Sequence, residues 1–328
     1  MRNLAEEDIR PDYLMEKKKS ALEADKLFLL QRKDEWTSIP CPVCGEDAHT
    51  IFGEKDSCSF VRCSACSMVY MSPRPSVELL HAYYEQSQNY AFWAKFIFPA
   101  TQEVRYERIH KPRALRLVEQ CVALGIKGGS FLEIGAGYGD FCRAVQEMDF
   151  FQKVTALEPT VNLAQICREK GLPTVESTLE HYASSEKFDV IAAYEVIEHI
   201  HDPKIFLTRC ARLLNPRGII ILSFPNVEGF DVRVLGAKAP CFQYGHLNYF
   251  AQSTISYLLF KIGFSVLALN TPGELDISIV RKRMHDSNLS MGRHHFMQYL
   301  FEELPEEAAH LLQNFIKEIN AVRLSCQG

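Results

Sequence analysis

The 328 residues carry 36 Lys and Arg against 41 Asp and Glu, a formal net charge of -5, with 47% hydrophobic and 23% charged side chains. That balance excludes a disordered chain, a collagen-like repeat and a coiled-coil rod, and it offers no bulk attraction to nucleic acid or to an anionic membrane. The length exceeds one ordinary domain and leaves room for a core of roughly 180 residues with one or two small modules. The opening stretch, MRNLAEEDIRPDYLMEKKKS, is densely charged and lacks an apolar leader. No later apolar run approaches the ~18 residues that span a bilayer, so the chain is expected in the cytoplasm and off the membrane. Within an N-terminal segment 1–38, Leu14, Leu22, Leu27 and Leu30 recur among charges after Pro11 and predict an amphipathic helix over 11–35, with a poorly ordered leader as the alternative. From Ile39 the texture turns to Cys, Pro, Ser and Gly with short β-like runs, SFVRC and SMVYM, which marks a small module over 39–76. Residues 77–128 are rich in Tyr, Phe, Trp and Leu at helical spacing and read as a connector of helices covering another domain. Tyr83, Tyr84 and Tyr90 lie in it and read first as helix packing, with contact to a ligand as the alternative.

After Gly128 and Gly129 the pattern becomes an alternation of apolar strands and helices. FLEIG (131–135), KVTALE (153–158), PTV (173–175), FDVIAAY (188–194) and GIIILSF (218–224) are short and apolar, which predicts a parallel sheet covered on both faces. FSVLALN (264–270) and ELDISIVRK (274–282) follow without a helix-length spacer and predict a closing hairpin whose last strand is antiparallel. The expected fold class is therefore α/β: a Rossmann-like doubly wound sheet with a terminal antiparallel strand over 129–283, plus the cysteine module and flanking helices. Residues 284–328 read as a helical tail through Leu300, Leu311, Phe315 and Ile319.

Of the 11 cysteines, four stand as two C-x-x-C knuckles, Cys41/Cys44 and Cys63/Cys66, with eighteen residues between them. Four thiolates complete the tetrahedral shell of Zn²⁺ and leave no position for water, so a structural zinc is expected, with iron as the chemical alternative. Cys58 reads as a spare, or as a swap for a neighbour. A redox role for Cys41 and Cys44 would need a βαβ context that the surrounding sequence lacks. Lys55, Arg62 and Arg74 are balanced by Glu46, Glu54 and Asp56, so the module presents no basic surface to nucleic acid and reads as a substrate lid or a packing staple.

Gly135-Ala136-Gly137-Tyr138-Gly139 follows the first core strand and precedes an amphipathic helix, a turn that lets backbone approach a ligand closely. Where a dinucleotide-binding loop needs its third glycine this one has Asp140, and Glu133 lies beside the loop. A carboxylate there repels a pyrophosphate and suits a cationic ligand. Glu158, nineteen residues past Gly139, ends the second strand at the distance of a ribose clamp; the alternative is that it caps the helix starting near Pro159.

Taken in order, LEIGAGYGDF, TALEPT, FDVIAAYEVIEHIHDP, LLNPRGIIILSFPN and HLNYFAQSTISYLLFKIGF resemble a class I S-adenosylmethionine methyltransferase over roughly residues 105–283. The branch that looks most similar holds ubiquinone-biosynthesis O-methyltransferases and sugar methyltransferases, many with a cysteine module in front. The resemblance implies S-adenosylmethionine held at Glu133, Gly135, Ala136, Gly137 and Gly139, with Glu158 and Pro159 at its ribose. It also implies Ser177, Thr178 and Leu179 near the adenine and Glu195 at the methionine end. The partner it implies is a small-molecule acceptor, a sugar or nucleotide sugar before a quinone-type or other small aromatic, methylated at O or C. In some sugar C-methyltransferases such a module sits over the acceptor pocket. A catalytically inactive zinc-ribbon adaptor is the reading outside enzymes, and the intact loop argues against it.

Methyl transfer needs alignment and, for some acceptors, a base. His246, in Tyr244-Gly245-His246, is expected to act at the acceptor, and His199 is the second candidate. On the resemblance, Glu195, Glu198 and His199 offer a divalent-cation site as the alternative for His199. Sugar C-methyltransferases carry a Glu-His pair where this chain has Gly245-His246, which moves the expectation toward O-methylation. The sequence sets no oligomeric state.

Overall fold

Three antiparallel strands are built around the cysteine knuckles: β1 (His49–Lys55), β2 (Cys58–Cys63) and β3 (Val69–Met71). Asp56 and Ser57 join the first two with φ of 52° and 61°, the left-handed pair of a tight hairpin turn whose twist matches its strands. This is a computed structural model, which describes residues 5–271, 276–287, 311, 312 and 314. The chain divides into two units, one holding residues 43–72 and the described chain from Pro225 onward, the other residues 8–42 and 73–224.

In the smaller unit Asn248–Tyr249 pairs antiparallel with β3 and completes a four-stranded sheet. Its core is aromatic. Phe242 stacks between Phe52 (centroids 5.3 Å) and Tyr249 (4.3 Å), and Phe60 meets Phe242 and Tyr249 edge-on at 4.9 and 5.4 Å. Such ring pairs supply packing that a strand of three residues cannot supply alone.

The larger unit opens with α1 (Asp12–Leu30), inside the span predicted for it. The buried carboxylate of Asp25 accepts hydrogen bonds from Ser87 Oγ (2.5 Å) and from the N–H groups of Gln88 (2.8 Å) and Asn89 (3.1 Å), which fastens α1 to the connector. The connector holds α2 (Val77–Gln86) and a helical run from Gln88 to Ala123, widened at Trp93–Ile97 and Tyr106–His110 into π turns. The segments entering and leaving the cysteine module, Trp36–Thr37 and Arg74–Pro75, pair with each other.

Five parallel strands follow: β4 (Ser130–Ile134), β5 (Lys153–Leu157), β6 (Thr174–Val175), β7 (Phe188–Tyr194) and β8 (Leu214–Ser223), in the spatial order β8-β7-β4-β5-β6. The helix α3 (Asp140–Glu147) joins β4 to β5, α4 (Val161–Glu169) joins β5 to β6 and α5 (Pro203–Leu213) joins β7 to β8, whereas residues 176–187 pass from β6 to β7 through turns. Phe131, Phe141, Val145, Val154 and Val190 pack into a buried core around this sheet, as the apolar strands of a doubly covered parallel sheet require.

The expected antiparallel strand is a correction. Among the described residues the core sheet is wholly parallel, 264–270 forms no regular element, and Asp276–Ser287 is a helix. Ile277 and Val280 are buried three residues apart on one helical face, while Ser278 between them is exposed. The run is too short for its local alternation to separate the two periods. Glu274 and Leu275 lie outside the described residues. So does most of the predicted helical tail, including Leu300, Phe315 and Ile319; Leu311 and Leu312 are helical.

Candidate functional site

The order β8-β7-β4-β5-β6 reverses between β4 and β7: the chain steps outward through β5 and β6, then returns to the other side of β4. Open α/β sheets form their ligand crevice at such a switch point, beyond the carboxyl ends of the strands. The loop after β4 and the turn after β7 both emerge there. Gly135, Gly137 and Gly139 have φ of 73°, 56° and 75°, the left-handed conformation that glycine adopts without steric penalty. A Cβ on Gly135 would stand 2.6 Å from Val196 Cγ2, whereas one on Gly137 would meet nothing closer than 4.0 Å. The loop is thus packed at its root and open at its crown. Ala136 is buried between them.

Glu133 lies in β4, paired to Ala156 and Ala192, and is 4% exposed. Burial pushes its carboxyl up to about 8, against the Cys142 thiol hydrogen bond and the nearby Arg113 charge, and its Oε2 has no hydrogen-bond partner among the described residues. An orphaned buried carboxylate oxygen is costly unless something fills it. Glu158 ends β5, and both its oxygens are used. Oε2 accepts the Gly137 N–H at 2.7 Å and Oε1 the Thr160 N–H at 2.9 Å, while burial still holds the carboxyl above the ordinary carboxylate range. The Thr160 contact is the helix-start role and the Gly137 contact ties the glycine loop; neighbouring Pro159 is exposed. Beyond β6, Ser177 Oγ donates to Thr178 O (3.0 Å), Thr178 Oγ1 lies 3.0 Å from His181 Nδ1, and Leu179 is buried. Glu195 follows β7 with φ of 56°, a strained value for a non-glycine residue, and its Oε1 accepts the Ser223 hydroxyl at 2.7 Å.

Four residues past the same strand end, Glu198 is 1% exposed, neither of its carboxylate oxygens has a hydrogen-bond partner among the described residues, and burial together with the Glu195 charge raises it well above the usual range. His199 beside it meets Tyr84 of α2, Nδ1 to Oη 3.3 Å, with the rings edge-on. That contact was not legible in the sequence, because 115 residues separate the pair and both residue types fit ordinary packing. In the smaller unit His246 is buried, the Gln243 side-chain amide lies 2.7 Å from its Nε2, and its carbonyl accepts the Tyr249 hydroxyl at 2.9 Å.

Residues 105–269, half of the chain, match the family described as a methyltransferase domain. The chain belongs to this methyltransferase-domain family. It is 31% identical over 121 residues to a ubiquinone biosynthesis O-methyltransferase of Bradyrhizobium sp. (strain ORS 278), a match covering 34% of this chain and 47% of that protein. With the protein of the same description from Histophilus somni (strain 2336) the identity is 31% over 149 residues, 40% of this chain and 61% of the relative. The chain therefore spans about half the length of the curated relatives it matches. A solved structure from Thermotoga maritima, described as a SAM-dependent methyltransferase and possible histamine N-methyltransferase, is 22% identical with a TM-score of 0.42, covering 54% of this chain and 81% of that one.

Ahead of the methyltransferase domain, the thiols of Cys41, Cys44, Cys63 and Cys66 lie within 4.8 Å of one another. Cys41 stands three residues before Cys44 on one knuckle, so the local chain places it with the module. Cys44 and Cys63 Sγ are 3.5 Å apart. Burial pushes the Cys63 thiol up, but hydrogen bonds from the Cys66 and Ala65 N–H groups and from the Cys44 and Cys66 thiols outweigh it and leave it below its ordinary value. Cys58 points elsewhere, to Asp56 O at 3.7 Å. Four soft thiolate donors at this spacing suit a tetrahedral metal and could form a zinc module.

Proposed function

We propose that the protein transfers a methyl group from S-adenosylmethionine to a hydroxyl of a small molecule. The observation that carries this reading is Glu133, a buried carboxylate with one oxygen unpartnered among the described residues, at the root of an open glycine loop. A cationic ammonium supplies the missing partner and draws the carboxyl into its ionised form, a gain that an anionic pyrophosphate does not offer. Gly135 and Gly137 let backbone come close, Glu158 offers its remaining lone pairs to ribose hydroxyls, and Ser177, Thr178 and Leu179 line the adenine side. Glu195 stands at the methionine end. When bound, the cofactor supplies an electrophilic methyl carbon on a sulfonium. The chain's own share is alignment, exclusion of water and removal of the acceptor proton. His246 takes that proton at Nε2 in exchange for the Gln243 amide contact, and His199, oriented through Nδ1 by Tyr84, is the second base. Zinc at Cys41, Cys44, Cys63 and Cys66 is structural in this reading, since four thiolates leave no open coordination position.

A sugar or nucleotide sugar is the acceptor that the cysteine module favours. The ubiquinone-biosynthesis relatives favour a quinone-type aromatic hydroxyl instead. Calorimetry with S-adenosylmethionine and S-adenosylhomocysteine tests the cofactor: an inactive adaptor that has lost the pocket gives no heat. Transfer of labelled methyl to a panel of nucleotide sugars and catechol-like compounds then decides the acceptor.

A further inference from the structure

The glycine loop is held from one side by a single element. Glu158 ahead of α4 takes the Gly137 N–H, the Cys167 thiol within α4 donates to Gly137 O at 3.4 Å, and Lys170 at its C-cap donates to Tyr138 O at 2.5 Å. Lys170 Nζ also lies 2.5 Å from Asp140 Oδ1 and 4.1 Å from the centroid of the Tyr138 ring. Asp140 begins α3, is buried, and accepts a further bond from Gln102 of the connector at 3.1 Å. The Tyr138 ring also packs against Phe98, with centroids 5.5 Å apart.

We infer that Lys170 is a positioning residue for the cofactor loop, acting through the Tyr138 carbonyl and the Asp140 carboxylate; the inference rests on the cofactor reading above. The pair differs from the surface ion pairs of the chain. Its side chains are 16% and 4% exposed, against 48% and 31% for Lys153 and Glu186, so water screens it far less. Charge-assisted bonds of this length in a poorly hydrated setting are strong and directional. One ammonium group therefore joins the last residues of the loop to each other and to α4, keeping the crown of the loop in the shape its left-handed glycines permit. Without it Tyr138 O and Asp140 would each lose a partner, and the loop would sample other conformations before every binding event. Lys170 lies 30 residues beyond Asp140 and touches no predicted ligand contact directly, which is why motif reading passes over it.

The test measures S-adenosylhomocysteine affinity by calorimetry and the thermal midpoint for the full chain and for Lys170→Met, Lys170→Arg and Lys153→Met. Lys170→Met is expected to weaken binding about tenfold, Lys170→Arg to recover most of that loss, and Lys153→Met to bind as the parent does. A purely structural Lys170 would lower the thermal midpoint and leave the dissociation constant unchanged, which overturns the inference. Should Lys170→Met fail to fold, Asp140→Asn keeps the side-chain shape and the acceptor at the start of α3; about fivefold weaker binding supports the inference, and unchanged binding sinks it. Absence of binding by the parent chain would instead defeat the cofactor reading.

Discussion

The two units of the molecule are stabilised by different means. The unit of β4 to β8 buries Phe131, Leu132, Val190, Ile191 and their neighbours on both sheet faces, so its stability comes from apolar area withdrawn from water. The residues around the cysteine knuckles have a thin sheet with an exposed edge strand, His49–Lys55, where Ile51 is 65% exposed, and rely on one aromatic stack and four thiols. A core of the first kind holds itself together; a module of the second kind takes its folding free energy from a ligand. The same division runs through function: the cofactor candidates Glu133, Gly135 to Gly139 and Glu158 sit on the first unit, and His246 on the second.

The largest expected effect tests that division of stability. Structural zinc in small domains contributes on the order of 10–16 kcal/mol. Purified protein should carry about one equivalent of zinc per chain, and Cys63→Ser should lose it. Amide exchange should then rise across residues 43–72 while β4 to β8 keep their protection. Elemental analysis showing neither zinc nor iron in native protein would remove the metal from the account.

His246→Gln separates chemistry from binding. Turnover should fall by roughly 10²–10⁴, the usual contribution of a positioned base, with S-adenosylhomocysteine affinity held within a few-fold. Full turnover in this variant would move the base to His199. His199→Gln is the matching control: activity there that depends on added Mg²⁺ or Mn²⁺ would favour a cation at Glu195, Glu198 and His199.

Glu158→Ala should do the reverse, weakening S-adenosylhomocysteine by roughly 2–4 kcal/mol if each hydrogen bond to its carboxylate contributes about 1.5. The Gly137 and Thr160 N–H groups also lose their acceptor, so part of the loss will be loop disorder. An unchanged dissociation constant would take Glu158 out of the site.

The smallest expected effect is a pH slope. The Glu133 carboxyl titrates at about 8 in the folded chain, above its ordinary range, so it is largely neutral at pH 7, and the folded state loses stability relative to the unfolded as pH rises from the ordinary carboxylate range toward 8. A cationic ligand pairs with the ionised form and releases the proton on binding. Affinity for S-adenosylhomocysteine should therefore climb between pH 6 and 8, by at most about tenfold per unit, and level off above. Glu133→Gln should bind weakly with no such slope; a slope that survives the substitution points to another group.

Sequence alone determined the features whose signal is local. The apolar runs of β4, β5, β7 and β8, the helix at Asp12–Leu30, the glycine loop and the two cysteine knuckles are each written within a few consecutive residues, because strand period, backbone freedom and C-x-x-C spacing are properties of short stretches. Where the local signal was ambiguous it misled: Asp276 to Lys282 alternates enough to read as a strand, and the burial of Ile277 and Val280 made it a helix. Only tertiary structure could join Asn248–Tyr249 to β3, bring Tyr84 to His199, leave Glu133 Oε2 without a partner among the described residues, or set Lys170 on Tyr138 and Asp140. Each of these depends on residues far apart in the chain, and desolvation acts on the neighbourhood that folding assembles, which no short stretch of sequence contains.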